Sequence, residues 1–360
     1  MIPEEDGYEV VPWEERHRAG VLRLRTLFRG IAPAWNAAHF RWQHEENPCF
    51  EGHWVQLALC RGEVVAMRVL QHALWELGDA AVRLRAPCFA GTAIDPAHRQ
   101  KGLFGLLTRA SEAELGRRGV EWAFNLSAGA ATHVSSLAEG WRGTGPLRPL
   151  GRPQSIGGRR VRDRVLRYAV RAARYASRPE PGVRIEAEPR PEDMAGLAAE
   201  ARRPDRIRRV RDAAYFRWRF RDPSSRYRFL YVERGGRVAG FLALHRPAPP
   251  IASGALTIAD WECSAGLSFD ELLGAAVAYA ERIQKPLGTW SAAWPEPAQH
   301  ALRRLGFEDA PEPGPLASSR PTILVRRIGA DGGDAPWQVA GVALDTLEGW
   351  DARLTDSDAF

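Results

Sequence analysis

Residues 93–107 read AIDPAHRQKGLFGLL. Ala93 and Ile94 close an apolar, β-rich run, and Pro96 marks the turn that ends it. Arg99, Gln100, Lys101 and Gly102 then make a short basic loop, and Leu103, Leu106, Leu107, Ala110 and Leu115 recur at the spacing of one helix face over 102–117. A strand, a basic bend and a helix in that order build an anion site. The first N–H groups of a helix lack intrahelical acceptors and carry the positive end of the helix dipole. Gly102 lets the backbone approach an anion closely, and Arg99 and Lys101 add charge. The chain holds only two lysines, Lys101 and Lys285, and one of them falls in this bend.

The spacing fits neither GxxxxGK[ST] nor GxGxxG. It resembles the pyrophosphate-binding signature of the GNAT acetyltransferase superfamily, [RQ]-x-x-G-x-[GA], following a strand that ends in a hydrophobic-x-Pro turn. Arg99, Gly102 and the Ile94-Asp95-Pro96 turn match it. Phe104 stands at the last position, with the small Gly105 one step later, and in this the chain departs from the family. The resemblance implies an acyl-CoA cosubstrate, acetyl-CoA or a longer acyl-CoA. Its diphosphate would lie on Arg99, Gln100, Lys101, Gly102, Leu103, Phe104 and Gly105, and its pantetheine against the backbone of Thr92, Ala93 and Ile94. Asn125, at the end of the next strand, matches a position where many members contact the cofactor.

The resemblance also implies transfer of the acyl group to an amine. Many members place a Tyr four residues before a Gly-Phe/Trp pair as the acid for the leaving thiol; Ser136 stands there, ahead of Gly140-Trp141, with His133 one helical step earlier. The base is drawn from His39, His44, Glu45 and Glu46 on the second helix and His72 beyond the hairpin, and Glu45 joins Ser136 and His133 as the expected catalytic set. A backbone N–H near Ala93 or Ile94 would polarise the thioester carbonyl.

Composition sets the outer limits. Three hundred and sixty residues, 45% hydrophobic with 13 Trp, suffice for two domains with real cores. Cys49, Cys60, Cys88 and Cys263 form no CxxC pair, so no metal site is expected and a reducing compartment is implied. The acidic start MIPEEDGYEVVPWEER has no apolar run and no segment approaches a membrane span, so a cytoplasmic protein is expected. The net charge of +6 is spread over arginines and suits an anionic cofactor. Nucleic acid is set aside as a partner, because no helix-turn-helix, zinc-finger or aromatic RNP pattern stands out. The oligomeric state is not encoded in any pattern found.

The chain repeats itself. Phe40-Arg41-Trp42 parallels Phe216-Arg217-Trp218, 176 residues on. Each is followed by an apolar hairpin, WVQLALC and VVAMRVL about Arg61-Gly62 in one case, YRFLYV and RVAGFLAL about Gly235-Gly236 in the other. Gly140-Trp141 then matches Gly306-Phe307. A duplicated unit follows. In the first copy the expected elements are strand 8–11, helix 14–27, helix 37–45, hairpin strands 55–59 and 64–70, one long strand 82–94, helix 102–117, strand 122–126 and helix 131–139.

The expected architecture is therefore α/β (α+β): two tandem GNAT-like lobes, each a mixed, largely antiparallel sheet flanked by helices. The lobes are placed at 1–150 and 183–330, joined by a basic linker helix within 151–182 and followed by a tail, 331–360. The tail is read as strands near 337–347 and 350–354 and a solvated acidic end at Asp356-Ser357-Asp358. Around 261–271 the second copy has lost the Arg and Lys of the bend and gained Glu262, Asp270 and Glu271, so it is expected not to bind acyl-CoA. The expected function is acyl-CoA-dependent acylation of a primary amine on a small molecule such as an amino sugar or natural product. Two rivals remain: an aminoacyl-tRNA-dependent peptidyl transferase, and a non-catalytic acyl-CoA-binding module.

Overall fold

A computed structural model describes residues 7–29, 33–78, 81–152, 155–156, 159–160, 182–248, 255–290, 294–309, 322–329 and 336–357. In the first half of the chain the strands are β1 (Tyr8–Pro12), β2 (Trp54–Cys60), β3 (Glu63–Gln71), β4 (Leu74–Leu77), β5 (Val82–Arg85), β6 (Cys88–Ile94), β7 (Trp122–Asn125), β8 (Arg142–Pro146) and β9 (Pro149–Arg152). A short hairpin of β10 (Ser155–Ile156) and β11 (Arg159–Arg160) follows. The second half contributes β12 (Val183–Glu186), β13 (Arg208–Arg209), β14 (Ser225–Arg234), β15 (Arg237–Pro247), β16 (Leu256–Cys263), β17 (Leu287–Trp290), β18 (Glu308–Asp309) and β19 (Thr322–Arg327).

Two seven-stranded sheets carry the fold, in the orders β1-β2-β3-β6-β7-β19-β8 and β12-β14-β15-β16-β17-β9-β18. The orders match place for place, and the sixth place of each is held by a strand from the other half of the chain. β19 pairs antiparallel with β7 and β8, and β9 pairs antiparallel with β17 and β18. Neither sheet is complete without its borrowed strand, so the two halves are bound to fold together.

The repeat is also visible in side chains. Trp42 donates its indole N–H to the carbonyl of Trp218 at 2.8 Å, and Trp218 returns the bond to Trp42 at 2.7 Å. Their rings stack with centroids 5.3 Å apart. The β2–β3 turn puts Arg61 and Gly62 at φ 52° and 79°, and the β14–β15 turn puts Gly235 and Gly236 at φ 55° and 77°. Both are two-residue turns with positive φ at each position, whose twist matches the flanking strands.

Three helices place the site. α1 (Arg18–Arg29) follows a 3₁₀ turn, and α2 (Pro33–Phe40) runs into a π turn over Arg41–Glu45. These pack on one face of the first sheet, where Val21, Leu24 and Phe40 meet Val55, Leu57, Met67 and Ala93. α3 (Leu103–Arg117) packs on the other through Leu103 and Leu107 against Ala58 and Ala66. The largest core cluster runs across both lobes, from Trp42, Trp75 and Phe124 to Phe229, Leu242 and Trp261.

Three expectations are corrected. The single strand over 82–94 is two, because Pro87 lacks the N–H that a ladder needs. β5 leaves the main sheet to pair with β4, which also pairs with β13 of the second half. No strand forms at 350–354; a 3₁₀ turn over Leu354–Asp356 stands there instead. Asp356 and Ser357 are buried rather than solvated: the charges of Arg209 and Arg211 offset part of the burial cost of the Asp356 carboxylate, and the Ser357 carbonyl accepts from Arg219 at 3.3 Å; Asp358 lies outside the described residues. The expected linker helix lies mostly outside the described residues. Among the described residues no helix is long and apolar enough to cross a membrane.

Candidate active site

β6 and β7 run parallel but pair only at Cys88 and Phe124. Beyond that point they diverge, and a cleft of about 280 Å³ opens between them. The register between β3 and β6 shifts at Ala90, one extra residue on β6, where a bulge re-aims the strand. Past Phe89, the β7 side of β6 has no strand partner among the described residues, which leaves its backbone groups to an extended ligand. Small residues, Ala90, Gly91, Thr92 and Ala93, make that edge approachable.

The strand ends in the basic bend. Asp95 accepts from the N–H of Ala97 at 3.1 Å and pairs with Arg23 at 3.4 Å, and His98 meets the Tyr8 hydroxyl at 2.8 Å. Its foot is thereby pinned while Arg99, Gln100, Lys101 and Gly102 stay exposed. Gln100 and Gly102 take φ 60° and 72°. A Cβ on Gly102 would meet nothing within 4 Å, so the glycine answers to the left-handed backbone and not to crowding. α3 starts there with no side-chain cap and no acid in its first turn, which leaves its leading N–H groups to a ligand.

The departure from the family spacing has a packing cause. A Cβ on Gly105 would collide with the Glu139 carboxylate, which pairs with Arg109 at 3.1 Å. Gly105 thus serves helix packing. Phe104 lies with its ring 4.5 Å from the guanidinium of Arg68, a fully buried β3 residue that also faces Phe89 at 4.7 Å. Arg68 donates to the hydroxyl of Thr92, while its Nε and Nη2 have no hydrogen-bond partner. Burial pushes its pKa down to about 9, so it remains charged at neutral pH.

Beyond β7, Asn125 borders the cleft and its Oδ1 accepts the N–H of Ser127 at 3.0 Å, closing a turn. Ser127, Ala128 and Gly129 continue the wall to α4 (Ala130–Ala138), whose Thr132 faces the cleft. Ser136, one turn on, is buried, its Oγ has no hydrogen-bond partner, and it does not border the cleft. His133 is half-buried and also off the cleft.

The opposite wall comes from α1, the π turn and β3, through Arg25, Gln43 and Met67. Arg25 Nη2 contacts His39 Nδ1 at 2.8 Å and donates to Gln43 Oε1 at 3.2 Å. Glu45 lies elsewhere, pairing with Arg18 at 2.7 Å and with His53 at 3.4 Å. Glu46 pairs with Arg41 on the surface. Burial, then the charge of Arg25, holds His44 well below its ordinary range, and burial lowers His72 too. Sequence reading missed Arg25, Gln43 and Thr132. Arg25 had a signal: it falls in register with Val21 and Leu24 on the apolar face of α1, where a charge needs a reason.

No family model and no curated protein sequence matches the chain. Solved structures do. A conserved protein of unknown function from Enterococcus faecalis V583, a probable N-acyltransferase, superposes with a TM-score of 0.59 at 11% identity over 89% of this chain and 72% of that one. A GCN5-related N-acetyltransferase from Kribbella flavida gives 0.53 at 15% identity over 89% and 71%. Saccharomyces cerevisiae N-myristoyltransferase with bound myristoyl-CoA gives 0.58 at 11% identity over 97% and 86%. The fold is that of the GCN5-related N-acetyltransferases, and the likeness extends through both lobes.

Proposed function

We propose that this chain is an acyl-CoA-dependent N-acyltransferase acting on a primary amine. One observation carries the reading: an unpaired β6 edge, lining a cleft, leads directly into the uncapped and basic start of α3. An acyl-CoA needs those two features in that order, amide partners for pantetheine and an anion cradle for diphosphate. The names of the similar structures, an N-acetyltransferase and an N-myristoyltransferase holding myristoyl-CoA, support the same reading.

In this reading Arg99, Lys101 and the amides after Gly102 hold the diphosphate, and a β6 N–H beside the Ala90 bulge polarises the thioester carbonyl. The acceptor amine attacks as the neutral form. The N–C bond forms, the C–S bond breaks, the amine loses a proton to solvent and the thiolate gains one. Thr132 lies on the cleft and offers its hydroxyl to the leaving sulfur, in place of the buried Ser136. Holding both reactants in one cleft supplies much of the acceleration. The acceptor is taken to be a small molecule.

Calorimetry with CoA, followed by thiol release from acetyl-CoA across an amine library, tests the proposal. Binding and amine-dependent release support it. Binding without release with any amine leaves a carrier-binding module, and release that requires charged tRNA moves the protein to the aminoacyl-transfer class.

A further inference from the structure

A second cavity, of about 300 Å³, lies in the other lobe, where β14, β15 and the start of β16 meet the end of the helix Phe269–Arg282. The described residues that line it include four cations, Arg226, Arg228, Arg246 and Lys285, and no carboxylate. Arg226 stands directly opposite Arg246 on the neighbouring strand, and Arg228 lies two residues on, on the same face. Like charges in opposed positions destabilise a sheet, so strand pairing alone does not account for this placement. Lys285 is brought in by the helix end: Gln284 takes φ 56°, and the Lys285 N–H reaches back to the Ala280 carbonyl at 2.9 Å. The chain's other lysine, Lys101, is in the basic bend. Elsewhere on this lobe exposed arginines meet acids, Arg234 with Glu271, Arg304 with Asp270 and Arg184 with Glu233. Among the described residues none of the four cations of the cavity forms an ion pair, and Arg228 donates to a neutral acceptor, the Tyr227 carbonyl, at 2.9 Å. The chain between β15 and β16, residues 248–255, contains no Asp or Glu.

Four cations around one space call for a multiply charged anion. A carboxylate supplies one negative charge, whereas a phosphate monoester or a diphosphate supplies more, and phosphate oxygens match the guanidinium fork. Leu256 and Tyr279 on the same wall offer aliphatic and aromatic surface to an organic body. We infer that this cavity binds the phosphate of an organic phosphate, at a site of its own. No residue borders both this cavity and the cleft of the first lobe, so the inference stands apart from the acyltransferase reading.

Calorimetry on the full chain at low salt tests it, with ADP, glucose 6-phosphate and vesicles containing phosphatidylinositol 4-phosphate as probes. The wild type is compared with Arg226→Gln plus Arg246→Gln, with Arg99→Ala plus Lys101→Ala, and with Arg234→Ala plus Arg304→Ala. At least one probe is expected to bind the wild type, to bind equally when the bend or the Arg234 pair is changed, and to bind about tenfold to a hundredfold more weakly when Arg226 and Arg246 are changed, the worth of charge-assisted hydrogen bonds. ADP or glucose 6-phosphate identifies a soluble ligand; vesicles alone identify a lipid headgroup. Binding that disappears with Arg99 and Lys101 overturns the inference, as does an equal loss from the Arg234 pair, which would reflect net charge. Binding of none of the three probes overturns it too, and tRNA bound in their place would make this face a nucleic-acid surface. Arg226 and Arg246 are exposed and their exchange relieves repulsion; should that variant not fold, Lys285→Gln carries the same comparison.

Discussion

The two lobes share strand order, borrowed strand and turn chemistry, yet one is open at the middle of its sheet and the other is filled. In the second lobe β16 and β17 pair at Leu256–Leu287 and Thr257–Gly288 before diverging, as β6 and β7 do. Where the first lobe has Ala90, Gly91 and Ala93, the second has Trp261, stacked on Trp294 with centroids 4.1 Å apart. The tail closes over them, with Arg353 lying 4.0 Å from the Trp261 ring. The helix starts differ as well. Ser268 and Glu271 form a capping box at the helix Phe269–Arg282, with both bonds at 3.2 Å, so two of its leading N–H groups are already satisfied. Asp270 and Glu271 turn to Arg304 and Arg234, each at 2.5 Å. Divergent strands are thus a property of the fold. Whether they make a site depends on the size of the side chains along the edge and on who satisfies the helix start.

Buried arginines sharpen the contrast most. Arg211 in the second lobe sits between Asp260 and Glu262, at 2.5 Å from each. Arg211→Met takes the nearer cation from two buried carboxylates and leaves them only Arg353, at 3.9 Å from Asp260 and 3.2 Å from Glu262, so a loss of about 3–5 kcal/mol is expected in denaturant unfolding. A loss under about 1 kcal/mol would mean that the cluster is not the lock its geometry describes.

Next in size is the basic bend. Removing Arg99 and Lys101 together is expected to weaken CoA binding by about tenfold to a hundredfold by calorimetry, with unfolding unchanged, since both are exposed. Arg234→Ala with Arg304→Ala, the counterparts near the second helix start, is expected to leave CoA affinity alone. Equal losses from both pairs would break the assignment of binding to one lobe.

The tail supplies a pH test. Burial works to raise the Asp351 carboxyl, but Arg353 and Arg203 outweigh it and hold the group at about 2, against an ordinary value of 3.8. The folded value lies below the free one, so the unfolded chain takes up the proton first. The stabilisation is complete above about pH 4 and is lost as pH falls towards 2, on the order of 2 kcal/mol. Wild type and Asp351→Asn should therefore differ in stability at pH 6 and converge near pH 2. Parallel curves across that range would remove Asp351 from the lock.

Much of the first lobe was legible. The 176-residue repeat of Trp42 and Trp218 appears as a reciprocal hydrogen bond, and Gly102 caps α3 at the left-handed angle that a glycine there implies. The strand exchange was not legible: β9 is four residues, PLGR, running into the stretch read as a linker, and β19, TILVRR, is a short apolar run that names no partner. Asp356 read as a surface acid because the charges that act on it, Arg209 and Arg211 among them, are chosen by the fold and not by nearby sequence. On the site, spacing led to Ser136, whereas the cleft ends one helical turn earlier at Thr132. Depth along a helix is set by how it docks, which its own periodicity does not contain.

Arg68 gives the smallest effect and the most discriminating sign. Like Arg211 it is a buried arginine on the first lobe's counterpart of a sheet core, but among the described residues no carboxylate forms an ion pair with it, Glu112 and Glu139 acting only at longer range, and Nε and Nη2 have no hydrogen-bond partner there. Methionine fills a similar volume between Phe89 and Phe104 and leaves no orphaned charge behind. Arg68→Met is therefore expected to raise stability by about 1–2 kcal/mol, the desolvation cost of the unmatched donors, where the same exchange at Arg211 lowers it. Thermal unfolding of the two variants side by side reads the sign directly. A destabilised Arg68→Met protein would mean that Thr92 and the two rings compensate the charge fully, and that the open lobe is not strained at its floor.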